Sequence, residues 1–259
     1  MHGGDAMEEL VRVETHGSLA LVALNRPEKR NALNPLMLQQ LHQHLLQLSQ
    51  DPTVHVIILY GEGAGFCAGA DLALLEQARK ENNFQAFSEA EELLQECVKL
   101  LATCPKITMA AMHGFVLGSG LDLALACDLR VAAAGTQIAA NNVRLGLVPD
   151  GGATWALPRL IGLGPAMAML LSGDPVEAEG AYRLGLIHKR VHAGRHLEEA
   201  AAWGGELARC CWGAHAAIKR LARVDPRLTL EAALKEEREA QKRLFEDGLP
   251  SRSAGRTPS

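Results

Sequence analysis

The sequence predicts an α/β fold in which a layered core is followed by a helical region. Strand and helix patterns alternate up to about residue 140, and the pattern is almost wholly helical from Thr154 onward. The chain has 259 residues, which fits one large domain or one domain with an appendage. Hydrophobic residues make up 48% and charged residues 22%, and this ordinary globular composition excludes a disordered chain.

The predicted strands are alternating or continuous apolar runs that end at turn residues. We expect residues 10–24 to form two short strands that turn at His16 and Gly17. The other strands are predicted over residues 54–60, 107–112 and 129–134.

The first predicted helix begins at Asn34 and Pro35, because asparagine is a good N-cap and proline fits the first turn. Leucines at helical spacing follow it. The other predicted helices of the core cover residues 71–80, 84–104 and 120–127. Those of the helical region cover residues 165–171, 176–184, 197–210 and 230–245.

Charge and composition exclude several classes of protein. The formal net charge is −4, which argues against a nucleic-acid binder. No apolar stretch approaches the roughly 18 residues of a membrane helix, and residues 1–9 do not resemble a signal peptide, so we expect a cytoplasmic protein without membrane contact. The six cysteines show no paired metal-binding spacing, so we expect reduced structural thiols and no metal.

Two glycine-containing turns each follow a predicted strand and open a predicted helix. Gly69 would leave the N–H of Ala70 exposed in the first turn, and Gly118 and Gly120 flank Ser119 in the second. Two such backbone donors aimed at one point form an oxyanion hole for an enolate. Each turn alone is also typical of an ordinary strand-to-helix connection.

Five segments carry a resemblance to a known family. The segments are LNRPEKRNAL at 24–33, AGFCAGADL at 64–72, GFVLGSGLDLALACD at 114–128, GLVPDGG at 146–152 and LPRLIG at 157–162. Their order and spacing, over roughly residues 10–245, resemble the crotonase superfamily, the enoyl-CoA hydratase/isomerase group.

The resemblance implies a crotonase-like spiral of ββα units followed by a C-terminal helical oligomerisation region. Residues 1–195 would form the core that binds acyl-CoA, residues 196–247 the helical region, and residues 248–259 a polar tail. The implied partners are an acyl-CoA thioester substrate and further copies of the chain in a homotrimer or hexamer. No cofactor beyond the CoA moiety is implied.

The resemblance places the thioester oxygen between the N–H groups of Ala70 and Ser119. The family usually has glycine where this chain has Ser119. It also implies a CoA site formed by residues of the first two segments, with the basic pair suited to phosphates. These residues are Lys29, Arg30, Ala68, Asp71 and Leu72. For the basic pair, a solvated loop is the alternative.

Three polar residues are the candidates for proton transfer. Hydratases of the family carry glutamates at the positions matching Asp122 and Asn142, whereas isomerases place their acid at the position of Asp150. Asn142 can orient water but can neither donate nor accept a proton at neutral pH. Each residue also has a structural interpretation: Asp122 at a helix N-terminus, Asn142 in a loop and Asp150 in a turn.

Double-bond isomerisation is the favoured function, because one carboxylate can take a proton from one carbon and return it two carbons away. Hydration of a trans-2-enoyl-CoA by Asp122, with or without Asp150, is the alternative. A non-catalytic acyl-CoA binder is a more remote one. A serine hydrolase is disfavoured because Leu117 and Leu121 stand where the G-x-S-x-G motif around Ser119 needs glycine.

Overall fold

The fold is built on two sheets between which the chain alternates. A computed structural model describes residues 8–223, 229–246 and 248 of the chain, without the side chains of Phe84, Ala86 and Phe87. The predicted tail over residues 248–259 lies outside the described residues apart from Gly248. The strands are β1 (Val11–His16), β2 (Leu19–Leu24), β3 (Val56–Gly61), β4 (Ile107–Met112), β5 (Phe115–Leu117), β6 (Leu129–Ala133), β7 (Gln137–Ala139), β8 (Val176–Glu177) and β9 (Lys189–Val191).

Six strands form the large sheet in the order β1-β2-β3-β4-β6-β9, and three form the small sheet in the order β5-β7-β8. Only the β1–β2 pair of the large sheet is antiparallel. A strand of the large sheet is twice followed directly by one of the small sheet, as β4 by β5 and β6 by β7. This alternation gives the predicted ββα arrangement.

Ten α-helices accompany the sheets in the described part of the chain. They are α1 (Pro35–Gln50), α2 (Leu72–Lys80), α3 (Phe84–Thr103), α4 (Ser119–Ala126), α5 (Ala153–Ile161), α6 (Leu163–Ser172), α7 (Ala178–Arg183), α8 (His196–Ala208), α9 (Trp212–Ala222) and α10 (Leu230–Glu246). The predicted start of α1 is confirmed, because the side chain of Asn34 accepts a hydrogen bond from the N–H of Met37 at 2.8 Å. The periodic leucines of α1 are buried in the main core.

The helical pattern predicted from Thr154 onward is wrong at two places. Val176 and Glu177 form β8, so the helix predicted over 176–184 begins only at Ala178. Lys189–Val191 form β9, which pairs in parallel with β6 at the edge of the large sheet. A three-residue strand has too few positions to show a period, and the backbone partner that makes it a strand lies far away in sequence.

The last three helices differ in how they are attached. Helix α8 covers one face of the large sheet, where Ala200 packs with Val56 and Met109, so the packed core extends past residue 195, its predicted end. Helix α9 has no buried residue and α10 has only Ala240. These two helices therefore lie outside the core. None of the helices in the described ranges is long and apolar enough to span a membrane.

Candidate active site

The first glycine turn leads from β3 into α2, and within the described ranges it leaves one backbone donor unpaired. Gly69 has φ +96°, a conformation that favours glycine, and Asp71 caps α2 by accepting a bond from the N–H of Ala73 at 3.0 Å. Leu33 bridges this turn: its N–H donates to Gly69 O at 2.8 Å and its carbonyl accepts from Asp71 N at 3.0 Å. These two hydrogen bonds join Leu33 to Gly69 and Asp71, the residues on either side of Ala70. The N–H of Ala70 itself therefore points away from Leu33.

The second glycine turn leads from β5 into α4. Gly118 has φ +49°, and its N–H donates to Ala139 O at 3.0 Å, which fixes the turn on β7. Ser119 is the first residue of α4, so its N–H has no acceptor within the helix. A Cβ on Gly69 would stand only 3.5 Å from the nitrogen of Ser119, so the two turns lie against each other.

The two turns meet at one narrow pocket. Ala70 and Ser119 line it together with the carboxyl-bearing residues Asp150 and Glu91. Its volume is about 20 Å³, which is room for about one water molecule. The remaining lining residues are Leu33, Leu38, Asp71, Leu74, Ala90 and Leu94. The structure therefore brings the two predicted oxyanion donors and one predicted carboxylate to the same place.

Asp150 lies in the loop before α5 and is held from two sides. The hydroxyl of Ser119 donates to its Oδ1 at 3.5 Å, and Gln95 of α3 donates to its backbone carbonyl at 3.1 Å. Burial raises the pKa of Asp150, while hydrogen bonds from its own N–H and from Ser119 partly oppose the rise. A raised pKa makes the carboxylate of Asp150 a stronger base.

Asp122 lies outside the pocket that Ala70 and Ser119 line. Its side chain is buried, its Oδ1 accepts from the N–H of Ala153 at 2.7 Å, and its Oδ2 has no hydrogen-bond partner among the described residues. Burial and, second, the charge of Asp150 raise the pKa of Asp122 to about 7. Asp122 lines a separate cavity of about 420 Å³ beside Trp155, not the pocket of Ala70 and Ser119.

Asn142 is also outside that pocket. It lies in a short 3₁₀ helix, Asn141–Leu145, and is 8% exposed. A Cβ on Gly118 would stand 3.7 Å from Oδ1 of Asn142, so its amide packs against the second glycine turn. Because Oδ1 has no hydrogen-bond partner in the part of the chain that the structure describes, Asn142 retains one free acceptor there beside the turn that carries Ser119.

The residues predicted for CoA binding surround the first glycine turn. The carbonyl of Arg30 accepts from the N–H of Ala68 at 3.0 Å, which joins the basic loop to the turn. Lys29 and Arg30 are exposed, and Leu72 is 50% exposed. Asp71 is instead half-buried, caps α2 and pairs with Arg26 at 2.6 Å. Asp71 therefore has a structural use independent of CoA.

Two further residues at or near the site are not among the predicted site residues. Asn31 is fully buried with φ +54°, accepts from Arg26 N, and donates to the carbonyls of Glu62 and Gly65. The sequence feature that could have revealed Asn31 is its residue type, because asparagine tolerates left-handed backbone better than most residues.

Glu91 is the second such residue. Its signal is its place three residues before the buried Leu94, on the inward face of α3.

Comparison with known proteins identifies the family. The profile of the enoyl-CoA hydratase/isomerase family matches residues 14–254. The chain therefore belongs to the enoyl-CoA hydratase/isomerase family and is an enzyme of the crotonase type, as the motifs in its sequence predict.

The relatives include both activities of the family. The crotonyl-CoA hydratase of Syntrophomonas wolfei is 35% identical over 202 residues, which cover 77% of this chain and 75% of that protein. The 1,2-epoxyphenylacetyl-CoA isomerase of Escherichia coli is 34% identical over 192 residues, which cover 71% of each chain. The crystal structure of an enoyl-CoA hydratase from Polaromonas sp. JS666 matches with a TM-score of 0.87 and 33% identity, over 91% of each chain. The crotonase fold is thus confirmed.

Proposed function

We propose that this enzyme moves the double bond of an enoyl-CoA thioester. The N–H groups of Ala70 and Ser119 bind the thioester oxygen and stabilise the dienolate that forms when the α-proton leaves. Asp150 is the base that takes this proton. The observation that carries the proposal is that Asp150 lines the same pocket as the two donors, whereas Asp122 and Asn142 do not.

The acid–base requirements of the two candidate reactions support this choice. Hydration needs one group to deprotonate water and another to protonate the α-carbon. At the two positions where hydratases of the family carry glutamates, this chain has Asn142, which cannot transfer a proton, and Asp122, whose Oδ1 is bonded to Ala153. Isomerisation needs one carboxylate and the oxyanion donors, and these share one pocket. No group beyond the CoA moiety of the substrate is needed for this reaction.

Hydration remains the second candidate because of the pKa of Asp122. A carboxyl group with a pKa of about 7 exchanges a proton readily at neutral pH, which is what a hydratase acid requires. The 35% identical relative from Syntrophomonas wolfei is also named a hydratase. Either reaction would begin with the same oxyanion contacts.

The test offers purified enzyme a 3-enoyl-CoA and, separately, a trans-2-enoyl-CoA, and resolves the products by mass. Isomerisation leaves the mass unchanged, whereas hydration adds one water. The variant Asp150→Asn is compared with Asp122→Asn, which makes the same change from carboxylate to amide at the other candidate aspartate. We expect the 3-enoyl substrate to be converted without mass change, with about a 10²–10⁴-fold loss in Asp150→Asn and little loss in Asp122→Asn. Water addition that survives in Asp150→Asn would establish the hydratase instead, and CoA binding without turnover would favour a non-catalytic binder.

We also propose that the chain assembles as a homotrimer or a dimer of trimers through its C-terminal helices. Helices α9 and α10 bury little within the chain and expose large apolar side chains, among them Ile218, Leu234 and Phe245. Apolar patches of this kind are typical of subunit interfaces. Light scattering on the purified protein measures the mass directly, and a monomer would reject this assembly.

A further inference from the structure

The pocket contains a second carboxyl group that none of the family motifs includes. Glu91 is on α3, and with Leu94 of the same helix it lines the pocket that holds Ala70, Ser119 and Asp150. Residues three apart on a helix share a face, so the buried position of Leu94 directs Glu91 inward as well. Glu91 is only partly exposed in consequence.

The surroundings of Glu91 are unusual for a structural carboxylate. Within the described part of the chain, none of the charges that shift the pKa of Glu91 belongs to a lysine, arginine or histidine. Burial and, second, the negative charge of Asp150 raise the pKa of Glu91. Glu96, five residues further along α3, shows the ordinary case: Lys99 pairs with it at 2.6 Å and lowers its pKa. A carboxyl group placed beside a like charge without a cation reduces stability, and such groups are concentrated at functional sites.

We propose that Glu91 is the second proton-transfer group of this pocket and that it delivers the proton to the γ-carbon of the dienolate. This role rests on the proposed isomerisation. Ser119 provides both a backbone donor for the thioester oxygen and a hydroxyl that binds Asp150. Asp150 is thereby held beside the thioester, next to the α-carbon. Glu91 lines the same pocket from α3, and with Asp150 assigned to the α-carbon, the γ-carbon is the reacting position left for Glu91.

The step balances with two carboxyl groups. Asp150 as carboxylate takes the α-proton, and the electron pair of the broken C–H bond forms the dienolate held by Ala70 and Ser119. The γ-carbon then takes the proton of the neutral Glu91 carboxyl group, and the double bond settles between the α- and β-carbons. Asp150 ends protonated and Glu91 ionised, so exchange of protons with water restores both. Glu91 thus shares with Asp150 the two proton transfers that a single carboxylate would otherwise carry out alone.

The test follows two readouts in D₂O with a 3-enoyl-CoA. The first is conversion to the 2-enoyl product, and the second is deuterium at the α-carbon of recovered substrate, measured by mass. The variants are Glu91→Gln, Asp150→Asn and the matched control Glu92→Gln, which changes the exposed neighbour on the same helix. Melting curves check that each variant folds.

We expect Glu91→Gln to slow conversion by about 10²-fold or more while substrate still gains α-deuterium, because Asp150 and the oxyanion donors remain. Asp150→Asn should lose both readouts, and Glu92→Gln should lose neither. A role of Glu91 in packing alone would reduce conversion and exchange together, so that result overturns the proposal. Conversion by Glu91→Gln at the wild-type rate overturns it as well, while the isomerase assignment stands. A wild-type enzyme that converts no 3-enoyl-CoA rejects the isomerase assignment, and the role of Glu91 with it.

Discussion

The hydroxyl of Ser119 lies 3.5 Å from Oδ1 of Asp150, and the backbone N–H of the same serine lies at the pocket where the thioester oxygen is proposed to bind. One residue therefore links the oxyanion donors to the base. In family members that have glycine at the position of Ser119, only the backbone N–H is available. The hydroxyl also lowers the pKa of Asp150 against the rise caused by burial.

The first prediction concerns the pH dependence that this hydroxyl sets. Ser119→Ala keeps the backbone donor but removes the hydrogen bond, so the pKa of Asp150 should rise. A base acts only when ionised, and the acidic limb of the kcat/KM profile should therefore move to higher pH. Ser119→Gly should move it in the same direction, which separates the hydroxyl from the effect of Cβ. Profiles that coincide with wild type in both variants would show that the hydroxyl does not act on Asp150.

The second prediction concerns the stability cost of Asp122. Its pKa is about 7 in the folded protein against an ordinary value of 3.8, so the folded state binds more protons than the unfolded state between these values. The free energy of unfolding contributed by this group therefore falls as pH rises from about 4 to about 7. In the Asp122→Asn variant, the amide oxygen can still accept the hydrogen bond from the N–H of Ala153. Because the amide does not titrate, the fall in unfolding free energy with rising pH disappears.

Relative to wild type, Asp122→Asn should thus gain stability as pH rises, by up to about 4 kcal/mol across that window. Chemical unfolding at a series of pH values measures the difference. The variant should be closest to wild type near pH 4 and most stabilised relative to it above pH 7. A difference that is constant with pH would mean that Asp122 is ionised in the folded protein well below neutral pH.

The third prediction tests the contact between the two glycine turns. A Cβ on Gly69 would stand 2.9 Å from Leu117 O, so Gly69→Ala must displace the turn that carries Ser119. Gly135 provides the matched control: its φ is +83°, close to the +96° of Gly69, but a Cβ there meets nothing within 4 Å.

Both alanine variants should lose about 1–2 kcal/mol of stability from the left-handed backbone. Only Gly69→Ala should also lose about 10²–10³-fold in kcat, as expected when an oxyanion donor is misplaced. Thermal unfolding and steady-state kinetics of the pair separate the two effects. Equal kinetics in both variants would show that the turns adjust without cost to the reaction.

The sequence was most informative where local chemistry decides the structure. Asn34 and Pro35 predict the start of α1, and the glycines around Ala70 and Ser119 predict two strand-to-helix turns, because caps and left-handed backbone depend on residue type at one position. These predictions hold in the fold. The catalytic roles of the residues in the turns stay predictions.

The sequence does not predict features that depend on a contact with residues far away along the chain. The three residues of β9 are a strand because β6 lies beside them, and no period can appear in so short a run. Glu91 illustrates the same limit at the site. Helical spacing places it on the inward face of α3, but only the folded chain shows that this face meets Asp150. Likewise, Asp122 belongs to a family motif, yet its side chain lines a different cavity from the oxyanion donors.

The last prediction concerns the basic loop beside the first glycine turn. If Arg30 contacts the phosphates of CoA, Arg30→Gln should raise KM for a CoA thioester while kcat stays unchanged. The side chain is exposed, so the effect should be about two- to fivefold and should shrink at high salt. An N-acetylcysteamine thioester of the same acyl group lacks the phosphates, and its KM should be the same in variant and wild type.

The control variant Arg195→Gln removes an equal charge at the start of α8, where the side chain pairs with Glu198. It should change the KM of neither thioester. An equal rise for both thioesters in Arg30→Gln would instead mean that the side chain acts on the turn itself, through its contact with the Phe115 ring 6.0 Å away.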